Sequence, residues 1–181
     1  DMMGVRTFVN TIETLANPSG ASVHLGSFYH LAFAKKVVDT FVESEFHDLD
    51  RVLMFQGMEG YDDVRPGYTK VAEWDAPGGD AADGSEGASF DDFEIETAEY
   101  GMDLEEDDLA VDDVAAESAA ITEAVLAGER DGPFADAVVV NAALRIYARG
   151  DVDSIEAGID AAHAAIDDGS ALDVLEALRD F

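Results

Sequence analysis

The sequence predicts an α/β protein in which a mainly parallel sheet is wrapped by helices, with a short antiparallel excursion and a helical C-terminal third. Three observations lead to this class. The apolar run 52–55 has the length and composition of a strand buried on both faces, as in parallel sheets. A strand-like segment and an amphipathic helix precede this run, an order typical of a right-handed crossover unit. Helical periodicity then dominates the chain after residue 116.

Periodicity indicates the strands and the first helix. Residues 22–28 alternate like a strand, and residues 31–45 carry apolar side chains at helical spacing. Residues 69–74 indicate a short strand, and the strictly alternating residues 93–97 are expected to pair with it as the antiparallel excursion. Residues 75–89 are rich in Gly, Ala and Asp and contain no core residue, so we expect a mobile acidic loop there.

Terminal signals bound the helices of the last third. A helix over 116–127 is followed by Gly128, and Pro133 suits the first turn of the next helix. That helix stops at Gly150, and Ser154 can cap the one after it. Apolar residues occupy every fourth position of the Pro133 helix: Phe134, Val138, Ala142 and Ile146.

Charge limits where this protein can work and what it can bind. Only 10 Lys and Arg face 41 Asp and Glu, giving a net charge of -31 with the acids spread along the chain. Such a charge repels itself in dilute salt, where the Debye length is ~10 Å or more. Because 48% of the residues are hydrophobic, we expect a folded, halophilic protein of a molar-salt cytoplasm, with nearly every acidic side chain solvated.

The same composition excludes several kinds of partner and site. Nucleic-acid backbones and anionic membrane surfaces are bound through Lys and Arg, which are scarce here. There is no cysteine for a disulfide, a thiolate metal site or a nucleophile. No apolar run approaches the ~20 residues of a membrane-spanning helix. We therefore expect a soluble, cytoplasmic protein that binds neither nucleic acid nor membrane.

The loop after the apolar strand is the strongest candidate for chemistry. Gly57 and Gly60 are followed by the adjacent carboxylates Asp62 and Asp63. In open α/β sheets, ligands bind beyond the carboxyl ends of the strands. A glycine has no Cβ to keep a phosphate away from its amide, and paired carboxylates suit a hard cation such as Mg²⁺. In so acidic a chain an isolated Asp pair is more often surface, and only its position singles this pair out.

Several motifs, in order, resemble the anthranilate phosphoribosyltransferase family of the nucleoside phosphorylase-like superfamily. Residues 4–10 (GVRTFVN) and 15–18 (LANP) are similar to that family's G-x-R-T-x-x-N and L-x-N-P segments. Residues 56–63 (QGMEGYDD) are similar to its H-G-x-x-G-x-D-E loop. The strand at 69–73 and the C-terminal helices resemble those that follow in the family, so the resemblance covers nearly the whole chain.

The resemblance implies an enzyme that transfers the sugar of phosphoribosyl pyrophosphate (PRPP) to the amine of anthranilate, a small aromatic acceptor, in tryptophan biosynthesis. In the family, the D-E pair binds the Mg²⁺ that neutralises the pyrophosphate leaving group, so Asp62 and Asp63 would hold this ion here. Asp63 is shorter than the family's Glu, and its carboxylate could need a bridging water. No catalytic residue is assigned. Asn10, if it faces the cleft, and Gly57 are the candidates for substrate contact.

Two departures from the family bear on the acceptor. Where the family has Gly-Pro between Asn10 and Leu15, this chain has Glu13 and Thr14, and a carboxylate there would repel the carboxylate of anthranilate. Gln56 stands where the family usually has His. These changes leave open a divergent relative with another acceptor, a non-catalytic relative that binds a nucleotide or a protein partner, and an enzyme of nucleoside phosphorolysis.

The family's glycine-rich phosphate cradle, G-T-G-G-D, has no counterpart in this chain, which opens abruptly at Asp1. We therefore expect residues 1–181 to form one α/β domain, the C-terminal part of a longer phosphoribosyltransferase. That enzyme is expected to be a homodimer formed through the region that precedes this chain.

The remaining polar and aromatic residues are expected to be structural. Asn141 lies in the middle of an apolar helix, where a buried polar group must be hydrogen-bonded. The four histidines show no ligand spacing: His24, His30, His47 and His163. Four aromatic residues are predicted to belong to the core: Phe28, Tyr29, Phe33 and Trp74.

Overall fold

A computed structural model of the chain describes residues 15–57, 63–77 and 89–180. Within these ranges four strands form one sheet: β1 Val23–Ser27, β2 Arg51–Phe55, β3 Tyr68–Asp75 and β4 Ser89–Glu96. The α-helices are α1 Leu31–Val42, α2 Val114–Leu126, α3 Pro133–Ala148, α4 Ile155–Asp167 and α5 Ser170–Arg179. Short 3₁₀ helices cover Thr97–Tyr100 and Glu106–Leu109. The predicted α/β class is confirmed.

The sheet has the order β1-β2-β3-β4. β1 and β2 are parallel, from Val23 opposite Arg51 to Ser27 opposite Phe55, and α1 connects them as the crossover prediction required. β2 pairs antiparallel with β3 on its other edge, and β4 lies beside β3. The described part of the sheet therefore combines one parallel pair with an antiparallel excursion. Most of the predicted acidic loop, residues 78–88, lies outside the described residues.

The chain divides into two compact units, Asp1–Asp63 with Lys70–Glu94 and Val64–Thr69 with Ile95–Phe181. In the first unit, α1 packs its buried face against the sheet. The core residues are Phe28, Ala34, Val37, Val38, Phe41, Leu49, Val52, Met54, Ala72 and Trp74. The four residues of β2 after Arg51 are completely buried, as expected of a strand covered on both faces.

The prediction that four aromatic residues belong to the core is correct for Phe28 and Trp74, and Phe33 packs at the edge of this core. It is wrong for Tyr29, whose side chain is 68% exposed. Tyr29 lies in the turn between β1 and α1, where strand alternation no longer decides which way a side chain points. Its ring meets that of His30 edge-on, at 4.8 Å between centroids.

In the second unit, α3 and α4 pack closely because Gly158 lies directly against the backbone of Ala143. The helix ends follow the predicted signals: Pro133 occupies the first turn of α3, and the Ser154 side chain accepts the Ala157 N–H at the start of α4. The most buried side of α3 differs from the every-fourth-residue set, which is only half-buried. It consists of Val139, Val140, Ala143, Leu144 and Ala148.

The expectation that the acids are solvated is confirmed over the described ranges. Every Asp and Glu there is exposed except Glu73, which is buried, and Asp75 and Asp136, which are half-buried. The charge of this part of the chain is therefore a surface charge. None of the described helices is long and apolar enough to cross a membrane.

Salt should therefore stabilise the fold. Raising KCl from about 0.1 M to about 2 M shortens the Debye length from ~10 Å to below ~3 Å and screens the exposed carboxylates from one another. We expect the melting temperature, followed by circular dichroism, to rise by ~2–4 °C for each kcal/mol of repulsion relieved. A melting temperature that is flat or falls over this range would contradict a halophilic surface.

No side chain should be tolerated at position 158, where α4 touches the backbone of α3. A Cβ at this position would lie 2.7 Å from the Ala143 carbonyl oxygen and 3.1 Å from its Cα, so α4 would have to move away from α3. Gly158→Ala should lower the free energy of unfolding by ~1–3 kcal/mol through overpacking, even though alanine favours a helix by up to ~1 kcal/mol. Ala164→Ser, at an exposed position of α4, is the control. A Gly158→Ala protein that melts higher than wild type would disprove the close approach.

Candidate functional site

The structure places two of the predicted site residues. Gly57 is buried just beyond the carboxyl end of β2, where the Gln56 N–H donates to the Lys70 carbonyl at 2.8 Å. Asp63 is exposed. Asn10, Asp62 and Gly60 lie outside the described residues. Among the residues that are described, no group of three or more His, Asp or Glu side chains is arranged to hold a metal ion.

The chain that follows Asp63 is fixed by hydrogen bonds from three other elements. We call residues 64–67 the anchored segment. The Val64 N–H donates to Oδ1 of Asn141 in α3 at 3.0 Å, and the Arg65 N–H donates to Oγ1 of Thr69 in β3 at 2.8 Å. The Gly67 carbonyl accepts both the N–H of Thr97, at 2.9 Å, and its Oγ1–H, at 3.3 Å. The segment is thus held through its backbone.

Burial explains why these side chains bind the segment. Thr69 and Thr97 are completely or almost completely buried, and Asn141 is half-buried in α3. A buried hydroxyl or amide that lacks a partner costs ~1–3 kcal/mol, so each of the three must find one. The backbone of the anchored segment supplies the partners of Thr69 and Thr97 and one of the partners of Asn141. The prediction that Asn141 is hydrogen-bonded is confirmed.

The orientation of the Asn141 amide is determined by its neighbours on α3. Nδ2 donates to the Ala137 carbonyl at 2.9 Å. Nη1 of Arg145 donates to the Asn141 carbonyl at 2.9 Å and to Oδ1 at 3.2 Å. Oδ1 therefore faces two donors, the Val64 N–H and the Arg145 guanidinium, and only an acceptor can occupy that position.

The half-buried acids lie outside the anchored segment. Asp75 is paired with Arg51 across β2 and β3, 3.4 Å from Nε to Oδ1, and Arg51 also binds Glu73. Burial raises the pKa of Asp75, an effect that Arg51 opposes and Asp91 reinforces. Burial likewise raises the pKa of Asp136, against the opposing effect of His163. A raised pKa means that ionising these carboxyls costs more free energy in the folded chain than in the unfolded chain. At neutral pH their charged forms therefore do not stabilise the fold.

Two of the histidines are packing residues. The rings of His24 and His47 both contact Phe41, with centroids at 4.5 Å and 5.0 Å. His47 Nδ1 also shares a 2.7 Å hydrogen bond with Oγ of Ser44. His30 immediately precedes α1, and His163 is exposed on α4.

Comparison with known proteins places this geometry in a family. A family model described as "Glycosyl transferase family, a/b domain" matches residues 2–172. The chain belongs to this family. An anthranilate phosphoribosyltransferase from Natronomonas pharaonis is 29% identical over 180 residues, which are 99% of this chain and 50% of that protein. The chain thus spans about half the length of the curated relatives it matches.

Solved structures of two such enzymes share the fold. The anthranilate phosphoribosyltransferase from Thermus thermophilus has a TM-score of 0.69 and 26% identity, covering 96% of this chain and 47% of that one. The enzyme from Saccharomyces cerevisiae in complex with PRPP and Mg has a TM-score of 0.73 and 22% identity, covering 96% and 46%. The yeast enzyme in complex with 4-fluoroanthranilate has a TM-score of 0.70, with the same identity and coverage. The family resemblance noted from the motifs is confirmed.

Sequence reasoning did not find the partners of the anchored segment. Thr69 and Thr97 carried no signal beyond being threonines in strand-like stretches. Asn141 did carry one, because a polar residue interrupts the apolar run of α3. That signal predicts a hydrogen bond, but it cannot identify a partner 77 residues earlier in the chain.

The anchor at Thr69 can be tested by stability. Thr69→Val keeps the shape of the side chain but leaves the Arg65 N–H without its acceptor, so we expect a loss of ~1–3 kcal/mol in the free energy of unfolding. Thr122→Val is the matched control, since the Thr122 hydroxyl bonds only its own helix, at the exposed surface of α2. Denaturant titration in molar KCl measures both. Equal stability of the two variants would show that the Thr69 bond does not hold the segment.

Proposed function

We propose that the protein containing this chain transfers the phosphoribosyl group of PRPP to anthranilate in a Mg²⁺-dependent reaction of tryptophan biosynthesis. The observation that carries the proposal is the family's motif at the carboxyl end of β2: buried Gly57 beyond a buried strand, and exposed Asp63 at the motif's last position. The names of the matched relatives and the ligands of the yeast enzyme support it. Because the chain spans about half of those relatives, the activity is proposed for the whole protein.

The donor atoms in this motif suit magnesium. Carboxylate oxygens are the ligands that Mg²⁺ prefers, and an exposed Asp63 is accessible to a hydrated ion and its phosphates. We propose that Asp62 and Asp63 hold Mg²⁺, which when bound would neutralise charge on the pyrophosphate leaving group. Gly57 would let a phosphate approach its amide, because no Cβ intervenes, and Asn10 would contact substrate.

The proposed reaction needs little from the side chains as acids or bases. The amine nitrogen forms a bond to the anomeric carbon of the ribose, the bond from that carbon to the pyrophosphate oxygen breaks, and the nitrogen releases one proton. In a largely dissociative reaction, positioning of the two substrates and stabilisation of charge supply most of the rate. The chain's contribution would therefore be a fixed backbone and correctly placed carboxylates. We assign no general acid or base.

A relative with another acceptor is the second candidate. It is favoured by Glu13 and Thr14 in place of the family's Gly-Pro, and by Gln56 in place of its usual His. Glu13 and Thr14 would affect the site of the acceptor, anthranilate, and Gln56 belongs to the loop of residues 56–63. The acidic pair proposed to hold Mg²⁺ for the donor, PRPP, is retained. Halophily, a cytoplasmic location and a homodimer formed through the rest of the protein are further parts of the proposal.

Anthranilate fluorescence provides the test. The complete gene product, supplied with PRPP and Mg²⁺ in molar KCl, should consume anthranilate. Asp62→Asn with Asp63→Asn should reduce turnover by ~10²-fold or more, because charge on the leaving group is no longer neutralised. Asp91→Asn with Asp92→Asn, an exposed acidic pair on β4, controls for the loss of two surface charges and should leave turnover near wild type.

Each alternative result has a distinct meaning. Folded protein that binds PRPP with Mg²⁺ but leaves anthranilate unchanged would support the relative with another acceptor. Full turnover by the Asp62 and Asp63 variant would remove this pair from the site.

A further inference from the structure

We propose that the outer edge of β1 is a pairing surface for a further β-strand, which the part of the protein outside residues 1–181 supplies. This inference rests on one element of the proposed function, namely that the chain belongs to a longer protein. It concerns how the sheet is completed and does not depend on which reaction the protein catalyses.

The hydrogen bonds of β1 show which of its backbone groups face outward. The Phe28 N–H donates to the Phe55 carbonyl at the end of β2, at 2.8 Å. This N–H shares a planar trans peptide with the Ser27 carbonyl, and the two point in opposite directions. The Ser27 carbonyl therefore points away from β2. Because a strand repeats every two residues, Val23 and Leu25 direct their N–H and C=O groups to the same outer edge.

The outer edge of β1 has little access to water at its carboxyl end. Ser27 is only 8% exposed. Backbone N–H and C=O groups that are shielded from water are nearly always hydrogen-bonded. Among the described residues, β2 is the only strand beside β1. A strand on the side away from β2 would supply the hydrogen bonds that these outward groups need.

The two edges of the described sheet differ in charge. At the opposite edge, β4 carries the exposed carboxylates of Asp91, Asp92 and Glu94. Charged side chains are a common protection of open edges against pairing with another strand. β1 reads Val-His-Leu-Gly-Ser and contains no Asp, Glu, Lys, Arg or Pro. In a chain with 41 acidic residues, an edge strand without any of these protections indicates an edge that is covered in the complete protein.

The remainder of the protein is the occupant that the comparisons favour. The chain spans about half the length of the relatives it matches, so a protein of their length has further chain from which a strand can come. A second copy of this chain is the alternative. Pairing of two copies through β1 would bring together two chains that each carry a net charge of -31, which repel one another.

Hydrogen exchange of single amides tests the pairing in the complete protein, in molar KCl. The amides of His24 and Gly26 face β2, whereas the amide of Leu25 faces outward. If a strand covers the edge, all three should be protected by ~10²-fold or more, because each is bonded within a sheet. An alternating result would overturn the proposal: His24 and Gly26 protected, and Leu25 exchanging at nearly the rate of an unstructured chain.

A photo-crosslinking amino acid in place of Leu25 identifies what covers the edge. Residues opposite one another on neighbouring strands have Cβ atoms about 5 Å apart, within reach of such a group. Leu53 lies opposite Leu25 on β2, so a crosslink to β2 is the internal control. We expect a second crosslink to a peptide outside residues 1–181 of the same polypeptide, identified by mass spectrometry.

Mixing isotopically labelled with unlabelled protein separates crosslinks within one polypeptide from those between copies. A crosslink to another copy, or crosslinks confined to residues 1–181, would disprove the proposed occupant. Should the crosslinker at position 25 prevent folding, amide exchange of the wild-type protein still decides whether the edge is paired.

Neither measurement uses turnover, so the two proposals can fail separately. A protein that leaves anthranilate unchanged, but protects the Leu25 amide and crosslinks outside residues 1–181, would retain the pairing and lose the proposed reaction. A protein that consumes anthranilate with an unprotected Leu25 amide would retain the reaction and lose the pairing.

Discussion

Strand β2 is buried on both faces and paired on both edges, and the location of the candidate site depends on this constraint. Its register is set by pairing on both edges: Arg51 lies opposite Val23 and Asp75, and Phe55 lies opposite Ser27 and Val71. The end of the strand is therefore fixed, and with it the position of Gly57. On the far side of the motif, the backbone is fixed independently, at Val64.

The chain after Asp63 is held by hydrogen bonds to buried and half-buried polar side chains. Asn141, Thr69 and Thr97 come from a helix, a strand and a 3₁₀ helix, and each bonds the backbone of the anchored segment. The same bonds that complete the interior of the second unit thus position the chain next to Asp63. One set of contacts both gives buried polar groups hydrogen-bond partners and fixes the backbone of residues 64–67.

The distribution of charge limits how an anion can bind. With 10 Lys and Arg against 41 acids, most described cations are used in specific contacts. Arg51, Lys70, Arg149 and Arg179 form ion pairs, and the guanidinium groups of Arg65 and Arg130 lie over the rings of Tyr68 and Phe134. Few cations remain to attract anions at the described surface.

The sequence by itself determined the local elements and the family. Alternation identifies β1, the apolar run 52–55 identifies β2 and helical spacing identifies α1. Pro133 and Ser154 mark helix starts, because these signals depend only on neighbours in the chain. The motif of residues 56–63 pointed to Gly57 and Asp63 through residue type and spacing alone. The order of motifs from residue 4 onward indicated the family that the comparisons then established.

Only the tertiary structure decided which faces are buried and which distant groups meet. Helix α3 is apolar on almost all sides, so its period could not select the side around Ala143 that packs on Gly158. Tyr29 is exposed because a turn, not a strand, sets its direction. The bond between Val64 and Asn141 joins residues 77 positions apart. Such a contact depends on how the whole chain folds, and no local pattern encodes it.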